Sequence, residues 1–411
     1  MTPRKNLDLE FLRAMAILMT VFQHAEVLVF WPGSWHQRLR HSVGLWTGVD
    51  LFFCISGYII THTLLVGLRE DRLRHLKLGF DLTPRHVATA FWIKRIWRLW
   101  PAAWCAVIVT MLCTAFLNRS GIFGDPWRMA RDALAALFHV ANFHWAGCYH
   151  GNLQNCNMVE RAQVPLDFPT GWALVVYWSL SLEEQFYLVA PLMIALIPRR
   201  GLIWLLVLAW LLLAPTRRPP LEVAWFFRID AMVLGVLLAF LRDRHPNPPV
   251  GLVRAWESWG ARVGIWVLVA AGFLILALLG AANPAAWPGT VSLISLAAAL
   301  LVWIASFDRR VLMPRGVVGS VMTWFGSRAY SLYLYHMVAY LATREVWWRF
   351  GLATNESRVS YLLSGIVLML CMAEASYRWV EQPARQHGYR VAARYSQRHA
   401  YDSAGDTGKR A

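Results

Sequence analysis

Long apolar runs, separated by shorter polar and mostly basic segments, recur from one end of this 411-residue chain to the other. A run of about 18 or more apolar residues is long enough to cross the hydrocarbon core as a helix. The pattern predicts ten spans, at roughly 9–30, 44–66, 96–117, 171–197, 202–214, 222–241, 262–281, 288–306, 320–342 and 358–379. The fifth is short and ends at Pro215. The first is too long for a signal-peptide core, and no small-residue cleavage site follows it. No repeat or long linker divides the runs. The expected fold is therefore an all-α integral membrane protein, a bundle of about ten transmembrane helices over residues 1–380. Residues 381–411 read as a basic, disordered cytoplasmic tail.

Composition agrees: 57% of residues are hydrophobic and 16% charged, against about 25% charged in soluble domains. The net charge of +16 would suit nucleic acid, but its placement follows the membrane instead. Segment 67–98 holds eight Lys/Arg and three acids, whereas segment 118–170 holds four of each. The positive-inside rule puts the first inside and the second outside. "PRRG" at 198–201, "RDRH" at 242–245, "DRR" at 308–310 and the tail then also fall inside, with both termini cytoplasmic. Cys54, Cys105, Cys113 and Cys371 lie in apolar runs and read as small hydrophobes. Cys148 and Cys156 share an outer loop where a disulfide can form, at a spacing that fits no zinc site.

Ionisable residues inside spans carry the candidate chemistry, because a charge near the bilayer centre costs roughly 2.5–3.5 kcal/mol on insertion scales. The first span contains Arg13, His24 and Glu26. Arg13 and His24 are eleven residues apart, within about 20° of one helix face and about 16 Å apart in depth. Singly, Arg13 reads as a snorkelling side chain and His24 as a histidine satisfied by an interhelical hydrogen bond; the shared face favours function. Asp50 opens the second span near the depth of His24. There it can fix the imidazole tautomer and raise its basicity, or simply cap its helix. Arg95 and Arg98 share a face at the inner boundary, as a phosphate clamp or as surface charge beside aromatic anchors. Ser179, Glu183 and Tyr187 form a stripe in mid-span, with Glu184 adjacent, so that at least one carboxyl needs a cation or a proton. Arg228, Asp230, Tyr333 and His336 lie in outer halves as acceptor-side candidates. The depth order suits group transfer across the bilayer, and also a proton-coupled transporter or flippase for a lipid-linked sugar, although no inverted repeat is evident.

These motifs resemble the acyltransferase-3 family of integral membrane O-acyltransferases, the polysaccharide O-acetylase type, over nearly the whole chain. The resemblance rests on Arg13 and His24 in one span, "GVDLFFCISGY", Phe91 with Arg95, Arg98 and Pro101, "WSLSLEEQFY", "SLYLYH" and "VEQP" at 380–383. It implies transfer of an acyl group, commonly acetyl, from cytoplasmic acyl-coenzyme A to a carbohydrate hydroxyl. His24 would be catalytic, as general base or transient acyl acceptor. Asp50 and Glu183 would belong to the same site, with Arg13, Arg95 and Arg98 binding the donor. No metal is implied. Some members append an esterase-like domain; none is expected here, so an acyl relay to one would need a separate periplasmic protein. The expected setting is a multi-pass bacterial inner-membrane enzyme, in contact with membrane lipid, that decorates lipopolysaccharide O-antigen or exopolysaccharide. A small-molecule glycoside such as a macrolide is the alternative acceptor.

Overall fold

The computed structural model describes residues 5–28, 42–78, 84–149, 171–220, 222–249, 259–281, 287–352 and 358–407. Among them every regular element is helical. They are α1 (Leu7–His24), α2 (Gly48–Leu78), α3 (Pro84–Phe116), α4 (Pro126–Leu137), α5 (Ala141–Tyr149), α6 (Tyr177–Leu196), α7 (Arg199–Leu213), α8 (Asp230–Arg244), α9 (Trp259–Ala281), α10 (Thr290–Ala305), α11 (Gly316–Arg349), α12 (Arg358–Ser376) and α13 (Gln382–Thr407). Among the described residues, five helical stretches are long and apolar enough to cross a membrane: Leu45–Arg69, His86–Phe116, Val223–Arg244, Arg262–Ala281 and Arg358–Gln397. The protein is a multi-pass, all-α membrane protein. The helices that carry His24, Glu183 and His336 (α1, α6 and α11) are not among the five.

Backbone-to-backbone contact holds the centre together. α2 runs along α8, and two glycines permit the approach. A Cβ on Gly57 would stand 2.3 Å from the Met232 carbonyl oxygen, and one on Gly235 would stand 2.2 Å from that of Cys54. Small residues play this part where lipid removes the hydrophobic drive for helix association. α1 packs along α11, which also carries α12. The start of α1 is fixed twice. The Asn6 side chain accepts from Leu9 N at 3.0 Å, and the Asp8 carboxylate accepts from the backbone N–H of Val311, Leu312 and Met313. Such caps satisfy donors that a helix start leaves open.

Several boundaries differ from the hydropathy reading. α1 ends at His24 and passes into a 3-10 turn, Ala25–Val27, although the apolar run continues; residues 29–41 lie outside the described set. The sixth run begins as a 3-10 helix, Val223–Phe227, and breaks at Arg228 and Ile229 before α8. The stretch between α3 and α6 is not a simple polar loop among its described residues. Within it, α4 and α5 form a hairpin against α3 and α6. Its tip reaches the middle of α3, where Trp104 Nε1 donates to the Leu137 carbonyl at 3.2 Å. Gln185 Nε2 of α6 donates to the His139 carbonyl at 3.0 Å and to Asn142 Oδ1 at 2.8 Å. Arg128, Arg131 and Asp132 lower the hydropathy of α4 and hide its buried face of Met129, Ala133 and Ala136. Cys148 is disulfide-bonded and the four cysteines of the apolar runs are free; Cys156 lies outside the described residues.

The disordered tail expected over 381–411 is corrected. α12 continues through a π-helical turn, Tyr377–Glu381, into α13, which lies along α3. The Trp97 and His387 rings are 4.4 Å apart, and Gly388 sits directly on Trp97. A helix that packs on the polar extension of another helix needs little hydropathy, so the apolar pattern does not reveal it. Residues 408–411 lie outside the described set.

Gly235→Ala is expected to destabilise the fold by about 2 kcal/mol or more, because backbone must move to admit the methyl group. The loss of monodisperse protein and a lowered thermal midpoint in detergent check it; an unchanged midpoint would contradict the α2–α8 contact.

Candidate active site

The end of α1 delivers His24 to the middle of α11. His24 Nδ1 and His336 Nε2 are 2.9 Å apart, and the rings are nearly parallel at 25°. The hydrogens follow from the partners. His336 Nδ1 lies 2.8 Å from the Tyr333 carbonyl and 3.2 Å from that of Leu332. Carbonyls only accept, so His336 Nδ1 carries the proton and a neutral His336 Nε2 is the acceptor. His24 Nδ1 is then the donor, and the lone pair of a neutral His24 sits on Nε2. His336 is fully buried and His24 half-buried, which suits an inner orienting group and an outer reactive one.

Tyr333, one turn from His336, lies 2.6 Å hydroxyl to hydroxyl from Ser179. Tyr333 also sits within electrostatic reach of Glu183. Deeper in, Glu183 accepts from Ser56 Oγ and from Tyr187 O–H, each at 2.9 Å. Glu184 accepts from Trp100 Nε1 at 3.1 Å. The Arg95 guanidinium lies over the Tyr187 ring, 5.1 Å from its centre. Arg95 and Arg13 both act electrostatically on Glu183, so the carboxyl that needed a cation has two nearby and two hydroxyl donors at contact. Arg13 pairs with Glu10 at 3.1 Å. Arg98 is flanked by Arg95, Arg13, Glu381 and Arg385. Among the described residues, neither Arg95 nor Arg98 forms an ion pair or a hydrogen bond.

The expected pairing of Asp50 with His24 is corrected. Asp50 Oδ1 accepts from Arg228 Nε at 3.1 Å, with both residues about 1% exposed. The helix break before α8 brings Arg228 there, and a guanidinium without water needs its counter-charge at contact. Trp225, Trp178 and Trp46 surround it, with ring centres 3.8, 4.6 and 5.0 Å from the guanidinium carbon. Asp230 is likewise enclosed: it pairs with Arg218 and accepts from Ser292 Oγ at 2.6 Å. These pairs tie α8 to α2 and α10. His336 and Tyr333 join the His24 site, whereas Arg228 and Asp230 form a closed layer beside it. The side chain of Glu26 lies outside the described set.

Ser56, Glu381 and Arg385 enter the picture only through the structure. Ser56 stands within "GVDLFFCISGY", where its residue type alone does not single it out. Glu381 stood in "VEQP" at the end of an apolar run, and Arg385 follows it by one turn.

A family model described as an acyltransferase domain matches residues 6–375. The O-acetyltransferase OatA of Staphylococcus aureus is 27% identical over 95% of this chain and 59% of its own length. The peptidoglycan O-acetyltransferase OatA of Listeria monocytogenes is 22% identical over 93% of this chain and 56% of its own length. The chain therefore spans less than two thirds of these relatives. No solved structure matches.

Removing one member of the Asp50–Arg228 pair strands the other in a dry site. Asp50→Ala is expected to cost about 3–5 kcal/mol of stability, with much of it recovered in Asp50→Ala combined with Arg228→Met. Thermal midpoints of the single and double variants measure this; a stable, folded Asp50→Ala protein would return Asp50 to the catalytic set.

Proposed function

The chain belongs to the acyltransferase-3 family, and from that premise we propose that it is a membrane O-acetyltransferase of a cell-envelope glycan. The donor in this reading is cytoplasmic acyl-coenzyme A, typically acetyl, and transfer occurs toward the outer face of a bacterial inner membrane. The observation that carries the reading is the His24–His336 contact at 2.9 Å, because it gives one imidazole nitrogen a defined lone pair within a membrane bundle.

The chemistry follows from that nitrogen. His24 Nε2 takes the proton of the acceptor hydroxyl as its oxygen attacks the thioester carbonyl. The carbon–sulfur bond then breaks, and the coenzyme A thiolate leaves and takes up the proton. His336 is the positioning residue: its acceptor nitrogen holds the Nδ1–H tautomer of His24, much as an orienting group does in other acid–base sites. Attack by Nε2 on the thioester to form a transient acyl-histidine uses the same lone pair; acyl label trapped on the protein without acceptor distinguishes that route. Arg95, Arg98 and Arg13 support the donor assignment, since planar guanidinium forks suit phosphates. The Glu183 cluster lies between them and the histidines, along the path the thioester arm would follow. The acceptor class rests on the relatives, one of which is named for peptidoglycan; O-antigen and exopolysaccharide are the other envelope glycans of this class.

In membranes supplied with labelled acetyl-coenzyme A and candidate glycans, His24→Ala is expected to abolish transfer without loss of folded protein. His336→Ala should lower the rate by about tenfold or more and change its pH profile, since the tautomer is no longer imposed. Full activity in His24→Ala would overturn the mechanism. For Arg95→Ala with Arg98→Ala, the expected result is a donor KM raised by about tenfold or more; an unchanged KM would return both to surface charge.

A further inference from the structure

We propose that Arg385, in the first turn of α13, is part of the donor site and binds a phosphate of the nucleotide end of acyl-coenzyme A. The inference rests on the acyl-coenzyme A reading above, and brings into the site a helix that hydropathy assigns to a tail.

The π-helical turn Tyr377–Glu381 sets the geometry. Such turns fit an extra residue into a helix and recur at functional sites. Here the turn directs Glu381 inward, where it is 3% exposed and accepts from Ser331 Oγ at 2.8 Å. One turn further along, about 6 Å toward the C-terminal end, Arg385 stands half-buried. Its Nη2 donates to Gln382 Oε1 at 2.8 Å, which steadies the guanidinium without neutralising it. Arg385 acts electrostatically on both Arg98 and Glu381. Packing of α13 along α3, through Trp97, His387 and Gly388, holds it against the arginine pair.

Four guanidiniums thus converge from three helices: Arg13 of α1, Arg95 and Arg98 of α3, and Arg385 of α13. Among the described residues only Arg13 has a carboxylate at ion-pair distance, Glu10. Like charges crowd in this way at a cost unless an anion is shared between them. The nucleotide end of coenzyme A carries a diphosphate and a separate ribose phosphate, a polyanion that one arginine pair cannot cover. Arg385 lies on the side of Arg98 toward the basic, solvent-facing part of α13, where Arg390 and Arg394 are exposed. It is therefore placed for the nucleotide rather than for the thioester. An anionic lipid headgroup offers the same phosphate chemistry, and the test separates the two.

The full chain in phosphatidylcholine nanodiscs is titrated with coenzyme A by calorimetry. Arg385→Gln keeps a donor for Gln382 and removes the charge; it is expected to weaken coenzyme A binding about tenfold. Arg385→Lys should recover part of that affinity. Arg390→Ala, on the same helix but exposed, should stay within about twofold of wild type. The same loss for Arg385→Gln is expected after phosphatidylglycerol is added to the nanodiscs. Three results overturn the inference while leaving the donor reading intact. They are wild-type affinity in a folded Arg385→Gln protein, a folded Arg385→Lys protein no better than the Gln variant, and a loss seen only with phosphatidylglycerol. The donor reading itself falls if the wild-type protein binds no coenzyme A; wild-type binding lost in Arg95→Ala with Arg98→Ala, but kept in Arg385→Gln, sinks this inference alone.

Discussion

Hydrocarbon does not solvate charge, and that refusal organises the interior of this protein. Every ionised group inside the bundle must find its partner within reach or keep contact with water. Asp50 and Arg228, and Asp230 with Arg218, meet the demand by closing on each other in nearly dry surroundings. Asp8 meets it with three backbone N–H groups. Each closed set joins separate elements: α2 to the break before α8, α8 to α10 through Ser292, and α1 to the segment before α11. The expensive groups therefore serve as ties, and their number reflects how many helices must be held in register where the hydrophobic effect between helices is absent.

The remaining polar groups are those the ties do not consume. His24, Glu183, Arg95 and Arg98 are half-buried rather than sealed, and the two arginines carry charge with no counter-ion at contact among the described residues. For such groups inside a bundle, lipid contact would be costlier than either packing or water. The site is thus recognised by polar groups that are held by neutral hydrogen bonds, or stand without a counter-ion at contact, rather than closed into buried ion pairs, and Arg228 is set apart from it by the same criterion.

Much of this was legible in sequence, for a physical reason. A polar residue in an apolar run is conspicuous, so His24, Arg13, Asp50, Glu183, Arg228 and His336 all stand out in the sequence. Their pairing did not. Depth along a helix comes from counting residues, but rotation about the axis and lateral neighbours depend on packing; hence Asp50 was matched by depth to His24, while the bundle gives it Arg228. Breaks were hidden as well: nothing in "AWFFRIDAMV" marks the end of a 3-10 turn at Phe227, and the turn is what frees Arg228 to face α2. Hydropathy also misses helices that lean on protein instead of lipid. α4 and α13 both carry too many charges to register, although one folds back against α3 and the other lies along it.

The spacing along α1 joins the two ends of the proposed reaction. Arg13 stands beside the cluster suited to phosphates, and His24 stands eleven residues later, at the last helical position, about 16 Å further along the axis. A donor whose charged end stays with the arginines must reach that far with an uncharged arm, and coenzyme A is built in this way, with a slender chain between its phosphates and its thioester. An enzyme that bound the whole donor in water would need no such separation. In that reading, phosphates kept near the inner surface would not pass through hydrocarbon, and the only part that would travel outward is neutral. In the proposed reaction the helix itself would serve as the ruler: its length would set how deep the thioester is presented, and its termination at His24 would leave the imidazole where a hydroxyl from the other side could meet it.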